Sequence, residues 1–188
     1  VSERDHCVSG AERSITVYGS CRMAGAAFFR ADREEVCCGA ERSKREGARN
    51  MYTDESLIAF CQRALQTPSF SGRERQMAEL MKDKMLELGF DEAVFDRLGN
   101  VIGTIHGKRP GKTILMDGHI DTVDVIDEAQ WTHGPFSGEI ADGKIYGRGA
   151  SDMKGSDCAM VMAAGRFAAQ TKKDIAGKIC ASGMVHDE

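Results

Sequence analysis

One histidine and four carboxylates stand where a metal ion or a hydrolytic reaction could use them. His119 and Asp121 lie in "DGHIDTV", Asp152 lies in "YGRGASDMKG", and Asp187 and Glu188 close "SGMVHDE". A neutral imidazole with carboxylates is a zinc ligand set, and a carboxylate two residues from a histidine can orient its ring from behind. Each residue also has a plainer role. His119 alone fits a core histidine, Asp121 a turn, and Asp187 and Glu188 a solvated terminus. Ser151 or Asp152 fits a helix N-cap after a glycine-rich surface turn, because short polar side chains accept from the free N–H groups of a helix start. Placement separates the set from these isolated roles. The positions fall at strand ends on one predicted edge, where open α/β sheets bind ligands.

The elements that must carry these residues are legible from period and punctuation. Leu57, Ile58, Cys61, Ala64 and Leu65 recur at helical spacing, and "TPSFSG" closes that helix. Ser71 and Glu74 form a capping-box pattern for a second helix, with an apolar face of Met77, Leu80, Met81, Met85 and Leu88 and a stop at Gly89. The methionines there read as core filler rather than metal ligands. "AVFD", "NVIGTIHG" and "KTILMDGHIDTVDV" read as strands, and "GEIADGKIYG" as a hairpin turning at Asp142-Gly143. Residues 156–169 read as a helix whose small residues Ala159, Ala163, Ala164 and Ala168 suit close packing. "GKICASGMVHDE" reads as a buried last strand. Helices alternating with strands predict an α/β layer architecture.

The totals exclude several classes. A formal net charge of -4 and a pI near 5.8 give no electrostatic case for nucleic acid or an anionic membrane. No apolar run approaches the roughly 20 residues that span a bilayer. "MAGAAFF" is flanked by charges of both signs and lacks a convincing cleavage site, so it is not read as a signal-peptide core. The seven cysteines are odd in number and contain no CxxC pair, which points to reduced thiols and a cytoplasmic setting. Residues 1–50 differ from the rest. They hold eight arginines but only one lysine, Lys44, and no sustained period. They read as a disordered or non-native extension that does not pack on the remainder, with the patterned chain starting near Met51.

"GHIDTVDV", the long run "WTHGPFSGEIADGKIYGRGASDMKG" and the acidic pair after a strand resemble the M20 family of zinc-dependent amidohydrolases and peptidases, which includes acetylornithine deacetylase and succinyl-diaminopimelate desuccinylase. "TPSFSGRER", "LGFDEAVFDRLGNVIG" and "SGMVHDE" are most similar to the selenium-metabolism-linked hydrolase subgroup. The resemblance covers about residues 54–188. It implies the amino-terminal part of a zinc-peptidase-like catalytic domain, with a mixed sheet flanked by helices and without the lid or dimerisation domain. It implies two zinc ions, with cobalt or manganese as alternatives, and a small-molecule amide or peptide substrate. Asp152 would bridge the metals, His119 would bind one of them, and Asp121 would steady the imidazole. Asp187 would be the general base and Glu188 a zinc ligand. The full-length protein could form a homodimer.

Two departures qualify the likeness. The family pair is usually Glu-Glu, whereas Asp187-Glu188 stands here, and a shifted register would make Glu188 the base. The family also continues past this point with further metal ligands. These departures lead to the expectation that the chain is inactive by itself, with its last strand left as an open hydrophobic edge, and leave a non-catalytic binding or assembly protein as the alternative. Arg148 and Lys154 read either as binders of a substrate carboxylate or as salt-bridged pins of the loop.

Overall fold

A computed structural model describes residues 51–188 and the backbone of Ala26–Phe28. Ala26–Phe28 (β1) pairs antiparallel with a strand at Lys144–Tyr146. The rest of the expectation for residues 1–50 lies outside the described residues.

The first helix, α1 (Asp54–Leu65), starts where Thr53 Oγ1 accepts from Ser56 N–H at 3.2 Å. Asp54 and Glu55 sit in its first turn, where negative charge suits the helix dipole. It buries Phe60, Cys61, Ala64 and Leu65, while Ile58 of the predicted face is partly exposed, at 39%. The second helix, α2 (Arg75–Glu87), buries Met77, Ala78, Met81 and Met85. Gly89 stops it as expected. At φ +80° this glycine takes the left-handed conformation, Gly89 N–H reaches Leu86 O at 3.0 Å, and Phe90 N–H reaches Met85 O at 3.1 Å. This is the paired-bond Schellman closure.

The predicted capping box does not form. Glu74 is the N-cap of α2 but makes no side-chain cap, and its carboxylate accepts from Gly72 N–H at 2.7 Å. Ser71 turns elsewhere, as described below.

Four strands make the main sheet: β2 (Glu92–Phe95), β3 (Val101–His106), β4 (Arg109–His119) and, after the hairpin and third helix, β7 (Ala176–Met184). Their order is β2-β3-β7-β4. β4 and β7 are parallel and the other pairs antiparallel, so the sheet is mixed. The hairpin of β5 (Glu139–Ala141) and β6 (Lys144–Tyr146) turns at Asp142 and Gly143, both with positive φ, as a two-residue turn of this twist requires. The third helix, α3 (Gly155–Thr171), links β6 to β7 and buries Cys158, Val161, Met162, Ala164, Gly165 and Ala168. Its approach to α2 is close. A Cβ on Gly165 would stand 2.8 Å from Leu88 Cβ.

Two sequence expectations change here. The strand predicted through Val125 ends at His119, and the strand predicted to Glu188 ends at Met184. Nor is β7 an open hydrophobic edge. It is interior, between β3 and β4, and the sheet's edges are β2 and β4, with Ile114 and Leu115 of β4 pointing to opposite faces and both exposed. Among the described residues no helix is long and apolar enough to cross a membrane.

Candidate metal centre

The parallel register sets the site. His119 is the Cα partner of Met184, so the ends of β4 and β7 lie side by side, and Ile120 N–H donates to Met184 O at 2.8 Å. The residues after each strand therefore share one edge. The segment after α1 runs along the residues that follow His119. Ser69 Oγ donates to Ile120 O at 2.6 Å, Thr122 N–H to Ser69 O at 2.9 Å, and Phe70 bridges to Thr122.

Asp121 is the hub of this edge, fully buried. Its Oδ2 accepts from Ser71 Oγ at 2.7 Å and from the backbone N–H groups of Asp187 and Glu188, each at 3.0 Å. Burial opposes ionisation, yet the Glu188, Ser71 and Asp187 donors outweigh it and hold the carboxyl below its ordinary value. Sequence reasoning missed Ser71 in this role, because its apparent partner was three residues away and its real one is fifty.

The His119 imidazole is held at both nitrogens. Nδ1 lies 3.1 Å from the Asp121 backbone carbonyl and 3.5 Å from Asp121 Oδ1, and Nε2 lies 3.1 Å from Asp152 Oδ1. The ring is thus steadied chiefly by the Asp121 carbonyl, with the carboxylate beside it. Burial disfavours the charged ring, but the Asp152 bond, the Asp121 carbonyl and both carboxylates together raise its pKa above the ordinary value.

Asp152 reaches His119 from an irregular turn. Residues Ala150–Lys154 coil as a short π-type turn after Gly149, and Asp152 breaks it with φ −136° and ψ 95°. Asp152 is therefore not a helix cap; the N-cap of α3 is Lys154 and makes no side-chain cap bond. Gly149 sits at φ +82°, and a Cβ there would stand 2.8 Å from Thr122 Cγ2. Positive φ and close approach both call for glycine.

Lys154 fits neither predicted role. It is fully buried, and its Nζ donates to Ala64 O at 3.1 Å and Thr67 O at 2.7 Å, carbonyls in the last turn of α1 and just past it. Burial brings its pKa down to about 8, against the opposing pull of Cys158 and Asp157. Arg148 stacks over the Trp131 ring at 5.0 Å, and its backbone N–H donates to Pro135 O at 2.6 Å.

His119, Asp152 and Glu188 come together: each offers one ligand atom, and these atoms lie within 4.8 Å of one another. Ligands at about 2.0–2.2 Å from a single zinc are at most about 4.4 Å apart. The spread therefore suits either a small closure onto one ion or two ions about 4 Å apart. The donor set of one imidazole nitrogen and two carboxylates suits zinc. Asp187 is exposed and is anchored here by its backbone N–H on Asp121.

A further acid escaped the sequence reading. Asp157, in the first turn of α3, is fully buried, and neither carboxylate oxygen has a hydrogen-bond partner. It fills the space beside Gly118, against which Met153 also packs. Burial first, and Asp117 second, push its pKa up to about 8 against the pull of His119 and Lys154.

Residues 115–180 match the profile of "Peptidase family M20/M25/M40". Over 132 residues the chain is 35% identical to the succinyl-diaminopimelate desuccinylase of a Methylorubrum extorquens strain, covering 68% of this chain and 34% of the relative. The chain thus spans about a third of the length of the curated relatives it matches. Its fold is similar to an M20 family metallo-carboxypeptidase from Sulfolobus solfataricus (TM-score 0.63, 24% identity, 71% of this chain and 31% of that one). It is also similar to a dinuclear metal-binding M20 family peptidase of Bacillus subtilis (TM-score 0.53, 18% identity, 70% and 35%). The mixed sheet with flanking helices matches part of these catalytic domains.

Proposed function

The chain is homologous to the M20/M25/M40 peptidases, and from this premise we propose that it forms the metal-binding part of a hydrolase cleaving an amide bond in an N-acyl amino acid or a peptide. The observation that carries the proposal is the convergence of His119, Asp152 and Glu188 on one small volume. His119 Nε2 and the two carboxylates hold the metal, zinc in preference. A bound zinc ion lowers the pKa of a water to about 7 and polarises the substrate carbonyl.

The chain's own residues supply the rest. Asp121 keeps Nδ1 of the imidazole engaged, so that Nε2 faces Asp152. Asp152, whose side chain is largely exposed, would be the carboxylate shared with a second ion. Asp187 serves as general base, taking a proton from water and passing it to the leaving amine. The register with Asp187 as base and Glu188 as ligand is favoured because the Glu188 carboxylate belongs to the converging group.

Among the described residues a second ion would have Asp152 and little else. The 188-residue chain is therefore expected to bind zinc but to show no turnover above background. The assay is zinc-loaded chain against a panel of N-acyl amino acids and dipeptides. Zinc-dependent turnover abolished by Asp152→Ala would show that these residues suffice for catalysis. A chain that takes up no zinc would overturn the metal reading itself.

A further inference from the structure

Two free cysteines among the described residues, Cys61 on α1 and Cys158 on α3, are buried, and the metal centre uses neither. Contacts at both ends of the α1–α3 interface show how these helices lie. At the C-terminal end of α1, Lys154 Nζ from the start of α3 donates to Ala64 O at 3.1 Å. At the other end, a Cβ on Gly165 of α3 would stand 3.4 Å from Cε1 of Tyr52, just before α1. The end of one helix meets the start of the other, so α1 and α3 run antiparallel.

The cysteines sit one turn in from the first of these contacts. Cys61 is three residues before Ala64 and Cys158 four residues after Lys154, the two spacings that keep residues on one helix face. A turn back along α1 and a turn forward along an antiparallel α3 lead in the same direction, so the two side chains face each other. Facing Cα atoms of helices packed about 8–10 Å apart, each at a radius of about 2.3 Å, are separated by roughly 3.4–5.4 Å. That range overlaps the span of about 4.4–6.8 Å between the Cα atoms of a disulfide. The thiols also feel each other. Burial first, then the side-chain hydrogen bond and charge of Cys61, push the Cys158 thiol well above its ordinary value. Cys180 stands apart, its Sγ 3.9 Å from Thr104 Oγ1 in the sheet.

We propose that Cys61 and Cys158 form a dithiol modification site, which a hydroperoxide oxidises to a disulfide that staples α1 to α3. With hydrogen peroxide, one thiolate attacks a peroxide oxygen, the O–O bond breaks, and hydroxide leaves to become the first water. The second thiolate attacks the sulfur of the resulting sulfenic acid. The S–S bond forms and the S–O bond breaks, releasing the second water. Both sulfurs are oxidised, the peroxide is reduced, and the two thiol protons end in water. Burial sets the rate. The enclosed, protonated Cys158 is a poor nucleophile in the closed fold, so the reaction proceeds through local opening of α1 from α3. Reclosure then brings the second sulfur onto the first. The site does not depend on the metal-hydrolase reading, although α3 continues directly from the turn that carries Asp152.

The test treats the full 188-residue chain, metal-free and folded, with excess hydrogen peroxide, alkylates the remaining thiols and maps tryptic peptides without reduction. Cys61 and Cys158 fall in separate peptides, residues 50–63 and 155–166, each with one cysteine. These peptides are expected to appear joined, short of their summed mass by the two thiol hydrogens, and to separate with dithiothreitol. The joined pair should exceed any link to Cys180 at least tenfold, since a disulfide demands matched geometry. The oxidised parent should unfold at higher denaturant concentration than the reduced parent, because a cross-link restricts the unfolded chain. Cys61→Ala and Cys158→Ala should each lose the joined peptide and that shift. Where circular dichroism shows a variant unfolded, the parent's own map decides. Both thiols recovered alkylated after prolonged treatment, sulfinic acid at either cysteine without the joined peptide, or links made preferentially to other cysteines would overturn the site. A joined peptide with no shift in unfolding would overturn the staple.

Discussion

Asp121 and Asp157 are both fully buried, both lie next to the strand end that carries His119, and yet they ionise in opposite ways. Asp121 gathers a hydroxyl and two backbone N–H donors on one oxygen and is held below the ordinary carboxylate value. Asp157 has no donor on either oxygen and is pushed up to about 8. Burial is common to both, so the donors decide. The donors at Asp121 come from Ser71 and from the Asp187–Glu188 backbone, so one residue holds both the imidazole, chiefly through its backbone carbonyl, and the segment that carries the proposed base and ligand. The cost of burying that charge is offset by the assembly of the site.

Breaking the Asp121 side of the comparison should give the largest effect. Asp121→Ala leaves Ser71 and two N–H groups without their acceptor and frees the chain end that carries Glu188. We expect a stability loss of about 3 kcal/mol, since a hydrogen bond to a charged group contributes about 1.5–3 kcal/mol and three are lost in a partly exposed setting. Zinc affinity should fall by roughly 10–100-fold, the usual cost of removing a partner behind a metal-binding histidine. Chemical denaturation and zinc calorimetry read the two effects separately. Unchanged zinc affinity would remove Asp121 from its place behind the ligands.

The Asp157 side should respond in the opposite sense. An acid whose pKa rises on folding binds more protons folded than unfolded between about pH 4 and pH 8, so its contribution to stability falls as pH rises through that window. Asp157→Asn removes the ionisation. The variant should equal the parent near pH 4 and be more stable by on the order of 5 kcal/mol near pH 8, given a rise of about four pKa units at about 1.4 kcal/mol each. Asp121, with its lowered pKa, contributes above the ordinary carboxylate value and loses that contribution only as pH falls through its folded pKa. Thermal melts across this range separate the two acids. A parent–variant difference that does not change with pH would show that Asp157 is not neutral in the fold.

Ser71→Ala sharpens the comparison with the smallest effect. It deletes one of the three Asp121 donors and should cost about 1 kcal/mol. Because the Asp121 pKa moves up, acid unfolding should begin at higher pH than in the parent. An acid limb that does not move would mean the two backbone donors suffice.

How much of this was legible in the sequence follows from the range of each contact. Helix and strand positions are set by local period, so α1, α2, β3, the Asp142–Gly143 hairpin and α3 were readable, and so was the Gly89 stop. The candidate residues His119, Asp152 and Glu188 were marked as a group by predicted strand ends and by the family resemblance, although only His119 lies in a strand, Asp152 coming from an irregular turn and Glu188 from beyond β7. Ser71 was misread because a local capping pattern with Glu74 competed with a bond to Asp121 fifty residues away. Lys154 was misread because its acceptors are backbone carbonyls in and just after α1, which carry no sequence signature. Asp157 stood unmarked in a small-residue helix, since nothing local tells a buried acid from a solvated one. The exposed faces of β4 carry no sequence signature for a related reason: the apolar run "TILM" looks the same whether or not anything covers it.

The central claim is that one imidazole and two carboxylates form a metal site, and the most direct measurement is the zinc-edge X-ray absorption spectrum of the zinc-loaded chain. The account predicts a shell of nitrogen and oxygen only, at about 2.0–2.2 Å, with the outer scattering of a single imidazole that disappears in His119→Ala. Sulfur scattering near about 2.3 Å, which would place zinc on cysteines such as Cys61 or Cys158, or a spectrum unaffected by His119→Ala, would contradict it.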